Sequence, residues 1–142
     1  MGKSISFFVP GPPKGKARVK VTKFGNFTPE GTLLYENFIK ACFLEAYGKT
    51  GVMYPDKEPV SICINAFFGI PSSTSKKKAA LMANNEILPT KKPDIDNIGK
   101  VVADALNGIA YKDDTQIVDL HIQKRYTEAS EGLMILIDEA PA

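Results

Sequence analysis

The sequence predicts an α+β fold, a small mixed β-sheet with helices packed on it, and three observations carry that expectation. Short apolar runs alternate with a period of two near both ends and in the middle of the chain: Ile5, Phe7, Val9; Val60, Ile62, Ile64, Ala66, Phe68; Val118, Leu120, Ile122. Another stretch, from Ile95 to Ile109, repeats its apolar residues with the period of a helix. The resulting order is strand, hairpin, helix, strand, helices, strand, strand. A chain of 142 residues is long enough to bury one hydrophobic core, so residues 1–142 are expected to form one domain.

Each element has a local reason. Ile5, Phe7 and Val9 alternate with Ser4 and Ser6 as a first strand, and Pro10-Gly11-Pro12-Pro13-Lys14-Gly15-Lys16 follows as a loop. Arg18 to Val21 alternates again, with Phe24-Gly25-Asn26-Phe27 as the turn of a basic hairpin. Thr28-Pro29 marks a helix start, Thr as N-cap and Pro at the first helical position. Leu34, Phe38, Ala41, Cys42 and Glu45 then fall on one face, and Gly48 is the expected stop. Val60 to Phe68 is a core strand, and Pro71-Ser72-Ser73 leads into a short basic helix through Met82. The second long helix carries Ile95, Ile98, Val102, Ala105, Leu106 and Ile109 as its apolar stripe and ends at Asn107-Gly108. Lys112-Asp113-Asp114 is a polar turn, Val118 to Ile122 a strand, and residues 129–132 the turn of a hairpin into the last strand, Leu133 to Ile137.

Charge is distributed unevenly. Eighteen basic and sixteen acidic residues give a net charge of +2. No acid precedes Glu30, whereas Lys3, Lys14, Lys16, Arg18, Lys20 and Lys23 all do. Lys76-Lys77-Lys78 and Lys91-Lys92 are further basic runs, while Asp94, Asp96, Asp104, Asp113, Asp114 and Asp119 crowd one short stretch. Basic regions suit a phosphate backbone, although any single lysine run also reads as a solvated surface. Cys42 and Cys63 have no metal spacing and are too few for a disulfide framework, which points to a reducing, cytoplasmic setting. No stretch approaches the roughly 20 apolar residues of a membrane helix. Met1 to Ser6 matches a myristoylation pattern, but the same residues read better as the first strand.

The acids invite a metal. In a continuous helix Asp94 and Asp96 point about 200° apart, so both face one site only if Asp94 is still extended, as Pro93 before it favours. Lys100 lies one turn beyond Asp96 on the same face, and Asp104 one turn further. A helix, a turn and an antiparallel return offer a route for Asp114 back toward the helix start. Clustered carboxylates repel unless a cation joins them, and Mg²⁺ takes a few carboxylates plus water and phosphate oxygen. Such a site polarises a phosphodiester, with Lys100 near the developing charge. Taken singly, each acid also reads as a helix cap or a turn residue. An EF-hand is excluded, because Ile98 and Ala105 stand where ligands belong. His121, the sole histidine, alternates along a strand and suits a surface or structural role.

Lys92-Pro93-Asp94-Ile95-Asp96-Asn97-Ile98-Gly99-Lys100, then Asp104-Ala105-Leu106-Asn107-Gly108, then Asp113-Asp114-Thr115-Gln116-Ile117-Val118 closely resembles the signature of the RusA family of Holliday junction resolvases, K-P-D-x-D-N-x-x-K, D-A-L-x-G and D-D-x-Q-V. Residues 10–18, Thr28-Pro29 and Lys124-Arg125-Tyr126 look like the family as well. The resemblance implies catalytic acids at Asp94, Asp96 and Asp114, an essential lysine at Lys100, and supporting roles for Asn97, Asp104 and Asp113. It implies Mg²⁺, with Mn²⁺ as substitute, a RusA-like homodimer, and branched DNA as partner. Lys14, Lys16, Arg18, Lys20, Lys23, Lys76, Lys77, Lys78, Lys91 and Lys92 are then the expected DNA contacts. Gly99 departs from the larger apolar residue frequent in the family, and glycine weakens a helix by roughly 1 kcal/mol relative to alanine. Two alternatives fit the same residues: a non-catalytic module that binds branched DNA, and another metal-dependent phosphohydrolase.

Overall fold

A computed structural model of the chain describes residues 3–17, 20–27, 29–48 and 52–140. Six strands and three helices follow in order: β1 (Ser4–Pro10), β2 (Lys20–Thr22), β3 (Gly25–Phe27), α1 (Glu30–Tyr47), β4 (Val60–Gly69), α2 (Lys76–Ala83), α3 (Ile95–Leu106), β5 (Ile117–Thr127) and β6 (Gly132–Glu139). A four-stranded mixed sheet has the order β1-β6-β4-β5, and β2 and β3 form a separate hairpin. The fold is α+β, as the alternation predicts.

One connection differs from the sequence reading. β5 and β6 are consecutive in the chain but do not pair. β6 lies between β1 and β4, antiparallel to both, and β5 pairs with β4 in parallel. Composition explains the placement. β6 buries Leu133, Ile135 and Ile137 completely, which suits a strand with a neighbour on each side. β5 carries Asp119, His121, Gln123, Lys124 and Arg125, the polar and charged content of an edge strand. A parallel pair requires a crossover, and that crossover carries α2 and α3.

The core joins Ile5, Phe7 and Val9 of β1, the inward residues of β4 and β6, and one side of α1 and α3. On α1 the buried face is Thr32, Tyr35, Glu36, Ile39 and Phe43, not the expected one. Leu34 and Phe38 are 62% and 42% exposed. The buried stripe differs from the apolar one because two of its positions, Thr32 and Glu36, are polar and serve the loop before the hairpin. The helix start also shifts. Pro29 takes the N-cap position, with its carbonyl accepting from the Thr32 and Leu33 amides, and Thr28 lies outside the described residues. The hairpin turn is centred on Lys23-Phe24, two positions earlier than expected, because Gly25 at φ 125° begins the return strand. On α3 Ile95 is exposed and Val101 is buried in its place.

Gln116 shows how the segment after α3 is fixed. It ends a 3₁₀ turn, Asp114–Gln116, and is almost fully buried. Its amide nitrogen donates to the carbonyls of Pro55 (2.8 Å) and Glu58 (2.9 Å), and its Oε1 accepts from the Asp113 amide at 2.9 Å. Leucine there would leave buried carbonyls and an amide without partners. Gln116→Leu is expected to cost about 2–4 kcal/mol, read as a lower urea midpoint with an unchanged slope.

Candidate active site

α3 is placed by a β-branched and aliphatic face, Ile98, Val101, Val102, Ala105 and Leu106, and by Gly99. A Cβ on Gly99 would sit 2.9 Å from Ile122 Cδ1 and 3.3 Å from Leu120 Cδ2. The glycine therefore brings the helix close to β5, which accounts for a residue that propensity alone disfavours. The Lys92–Pro93 peptide before the helix is cis.

Asp94 holds the N-cap position of α3 with extended backbone (φ −67°, ψ 149°), and its side chain makes no capping hydrogen bond. This removes the capping explanation for that carboxylate and meets the geometric condition for Asp94 and Asp96 to share a site. Asp94, Asp96, Asn97 and Lys100 line one cleft of about 1080 Å³, together with Lys92 and Pro93. Its opposite wall is the loop of residues 13–17, which includes Lys14.

That loop is fastened by groups the sequence reading overlooked. The Lys16 amide donates to the Asn97 carbonyl at 2.8 Å, and the Ala17 amide donates to Thr32 Oγ1 at 3.1 Å. A Cβ on Gly15 would lie 2.8 Å from Asn97 Cβ and 3.0 Å from Pro93 Cβ, so only glycine lets the loop approach α3 this closely. The Lys16 ammonium, expected to face phosphate, is instead engaged inside the protein. It lies 2.9 Å from Asp104 Oδ2 and 3.3 Å from Glu36 Oε1, clamping the loop to α3 and α1. Asp104 thereby gains a supporting role as the far anchor of this clamp. The signal for it was available: Thr32 and Glu36 recur four apart on the helix that follows the loop.

Burial pulls the Lys16 pKa down, but hydrogen bonding and charge from Asp104 and Glu36 outweigh it, so the pKa is raised above the ordinary 10.5. A raised folded-state pKa means that the stabilisation is complete below the unfolded value and is lost as pH rises through the folded one. Lys16→Met is expected to cost about 1–2 kcal/mol, moderated by the partial exposure of Asp104. The difference in urea midpoint between wild type and variant should stay constant around neutral pH and close above pH 10.5.

Asp113 and Asp114 separate into different roles. Asp113 Oδ1 accepts from the Thr115 amide at 3.2 Å, and its own amide donates to Gln116, a reciprocal cap. The Thr115 amide holds the Asp113 carboxyl below its usual range. Asp114 is pushed upward, first by its hydrogen-bonded neighbour Asp113, then by partial burial and by the charges of Asp113 and Asp104. Its acidic neighbours are thus at the far end of α3. Among the described residues no three His, Cys, Asp or Glu side chains come close enough to hold a metal ion, so Asp94, Asp96 and Asp114 do not by themselves form such a group. The 3₁₀ turn and the docking of Gln116 under residues 54–58 hold this segment where it is. Mg²⁺ is often held by one or two carboxylates with water and substrate oxygen, so Asp94 and Asp96 fit it as donors without a third acid.

The other predicted contacts are spread over the surface. Lys14 and Lys92 line the cleft. Lys91 stands over the rings of Phe68 and Tyr126, at 5.6 and 5.9 Å, and its carbonyl accepts from Lys124. Lys76, Lys77 and Lys78 form the exposed first turn of α2. Cations are unfavourable at a helix N-terminus, so helix stability does not account for them. Lys23 is at the hairpin turn, Lys20 is in β2, and Arg18 lies outside the described residues. His121 is exposed, 3.5 Å from Asp119.

A cleft with two uncommitted carboxylates on one wall and lysines on both defines a class of site that takes a cation and a phosphate together. The chain belongs to the family described as Endodeoxyribonuclease RusA, whose pattern matches residues 10–138. It is also 46% identical over 72 residues to the "Uncharacterized protein YqaN" of Bacillus subtilis (strain 168), a match covering 49% of this chain and 51% of that protein. The chain thus spans about half the length of the curated relative it matches. Among the described residues no helix is long and apolar enough to cross a membrane.

Proposed function

We propose that this chain is a divalent-metal-dependent endodeoxyribonuclease that resolves four-way DNA junctions by paired cuts in recombination and repair. One observation carries the reading: Asp94 stands at a helix entry without capping it, in a cleft shared with Asp96 and Lys100. A structural cap would be bonded to the helix amides, whereas a ligand must be free. Mg²⁺ or Mn²⁺ held by Asp94 and Asp96 would polarise the scissile phosphodiester. Lys100, one turn along from Asp96, faces the same space and stabilises negative charge developing on the phosphate. Lys14 and Lys92 orient the strand across the cleft by its backbone. Asp114, in the D-D-x-Q motif that resembles the family's, would serve as the third essential acid. Two symmetric cuts suit a homodimer, residues 1–142 acting as one domain in each copy. Free Cys42 and Cys63 suit the cytoplasm.

The test is cleavage of a labelled four-way junction beside a linear duplex of the same sequence, in Mg²⁺ and in EDTA. Junction cuts that require Mg²⁺, with the duplex intact, are expected. Tight junction binding with no cutting in Mg²⁺ or Mn²⁺ would favour the binding module. Equal cutting of the duplex would keep the site but remove the junction selectivity.

A further inference from the structure

We propose that the β2–β3 hairpin is a wedge for the centre of a branched DNA, with Phe24 stacking on a base exposed at the branch point. This rests on the junction-cleaving reading and extends it to the residue that opens the junction. Val21 and Phe24 are the two most exposed large apolar side chains among the described residues, at 81% and 80%. Phe24 is nevertheless presented in a defined way. Thr22 Oγ1 accepts from the Phe24 amide at 3.2 Å and donates to the Gly25 carbonyl at 3.0 Å, and Gly25 supplies the positive φ that the turn requires. With three residues in each strand, such a hairpin is marginal on its own in water, so its exposed apolar tip calls for a partner.

Charge identifies that partner. No acid precedes Glu30, and Lys14, Arg18, Lys20 and Lys23 lie on or just before the hairpin in the sequence. Lys23 Nζ is 5.2 Å from the centroid of the Phe24 ring, so the tip pairs a cation with an aromatic face. Phosphate and base face together match that pair. Within a duplex the base faces are covered by stacking, whereas at a branch point unstacking costs least. The reach is suitable. Ala17 lines the cleft, and the seven residues from there to Phe24 span at most about 25 Å.

The experiment places 2-aminopurine at the branch point of a four-way junction and follows its fluorescence on binding in Ca²⁺, then measures single-turnover cutting in Mg²⁺. Wild type should raise the fluorescence as the probe base leaves the base stack, and Phe24→Ala should not. Phe24→Ala should cut a fully paired junction about tenfold more slowly, toward the low end of what base–aromatic stacking contributes. It should recover the wild-type rate on a junction whose branch-point pairs are mismatched and already open. A merely structural role for Phe24 would leave the two junctions equally affected, and that result overturns the wedge. So does a Phe24→Ala protein indistinguishable from wild type in both assays while wild type cuts junctions normally. A wild type that neither binds nor cuts the junction overturns the functional reading and the wedge with it.

Discussion

Asp94→Asn and Asp96→Asn are each expected to lower junction cleavage by about a thousandfold or more while leaving junction binding and the urea midpoint near wild type. The expectation follows from what these carboxylates do not do. The Asp94 side chain makes no cap bond, and both carboxylates line the cleft and not the core. An isosteric amide therefore removes a cation donor without opening a cavity. Lys100→Ala should cost about a hundred- to a thousandfold, the range for removing one group that stabilises transition-state charge. Asp113→Asn is the matched control. Its carboxylate is a cap for the 3₁₀ turn, a role asparagine fills equally well, so the variant should keep a urea midpoint near wild type and most of its activity. Asp114→Asn should lose activity. Single-turnover rates, filter binding and urea denaturation on the same preparations separate these outcomes. Full activity in Asp94→Asn would return that residue to a structural role.

Gly15→Ala carries the second large effect, from one methyl group. Gly15 is not at positive φ, so alanine suits its backbone; the obstacle is the 2.8 Å approach to Asn97 Cβ and 3.0 Å to Pro93 Cβ. Those atoms are fixed to their own backbones and cannot rotate aside. The loop must retreat by several tenths of an ångström, lengthening the Lys16 amide bond to the Asn97 carbonyl and displacing the wall that faces Asp94, Asp96 and Lys100. Misplacement on this scale costs about ten- to a hundredfold in rate, and overpacking costs about 1–3 kcal/mol in stability. The rate loss should persist at temperatures where the variant is fully folded. A Gly15→Ala protein with wild-type rate and midpoint would show that the loop position is unimportant.

Much of this site was legible in the sequence because its parts are local. The helix from Ile95, the extended Asp94 after Pro93 and the shared face of Asp96 and Lys100 follow from helix geometry and one proline, and the structure reproduces all three. What was not legible depends on contacts distant in the chain. Lys16 reads as one basic residue among many, and only the fold shows Glu36 and Asp104 converging on it. Leu34 and Phe38 look like a core stripe until Thr32 and Glu36 prove to be the inward residues. The turn after β5 looks like a hairpin, but strand order is set by which strand buries both edges, and Leu133, Ile135 and Ile137 place β6 in the middle. Gly99 reads as a weak point in a helix and is instead the condition for packing α3 on β5.

The most direct test of the account uses a supercoiled plasmid that extrudes a cruciform, incubated with the protein in Mg²⁺. Paired cuts at a four-way junction convert the circle to a linear product, whereas isolated cuts leave a nicked circle. The account predicts linear plasmid in Mg²⁺, none in EDTA, none from Asp96→Asn, and no cutting of a plasmid without the cruciform. Linear product from Asp96→Asn, or equal cutting of the plasmid that forms no junction, would contradict it.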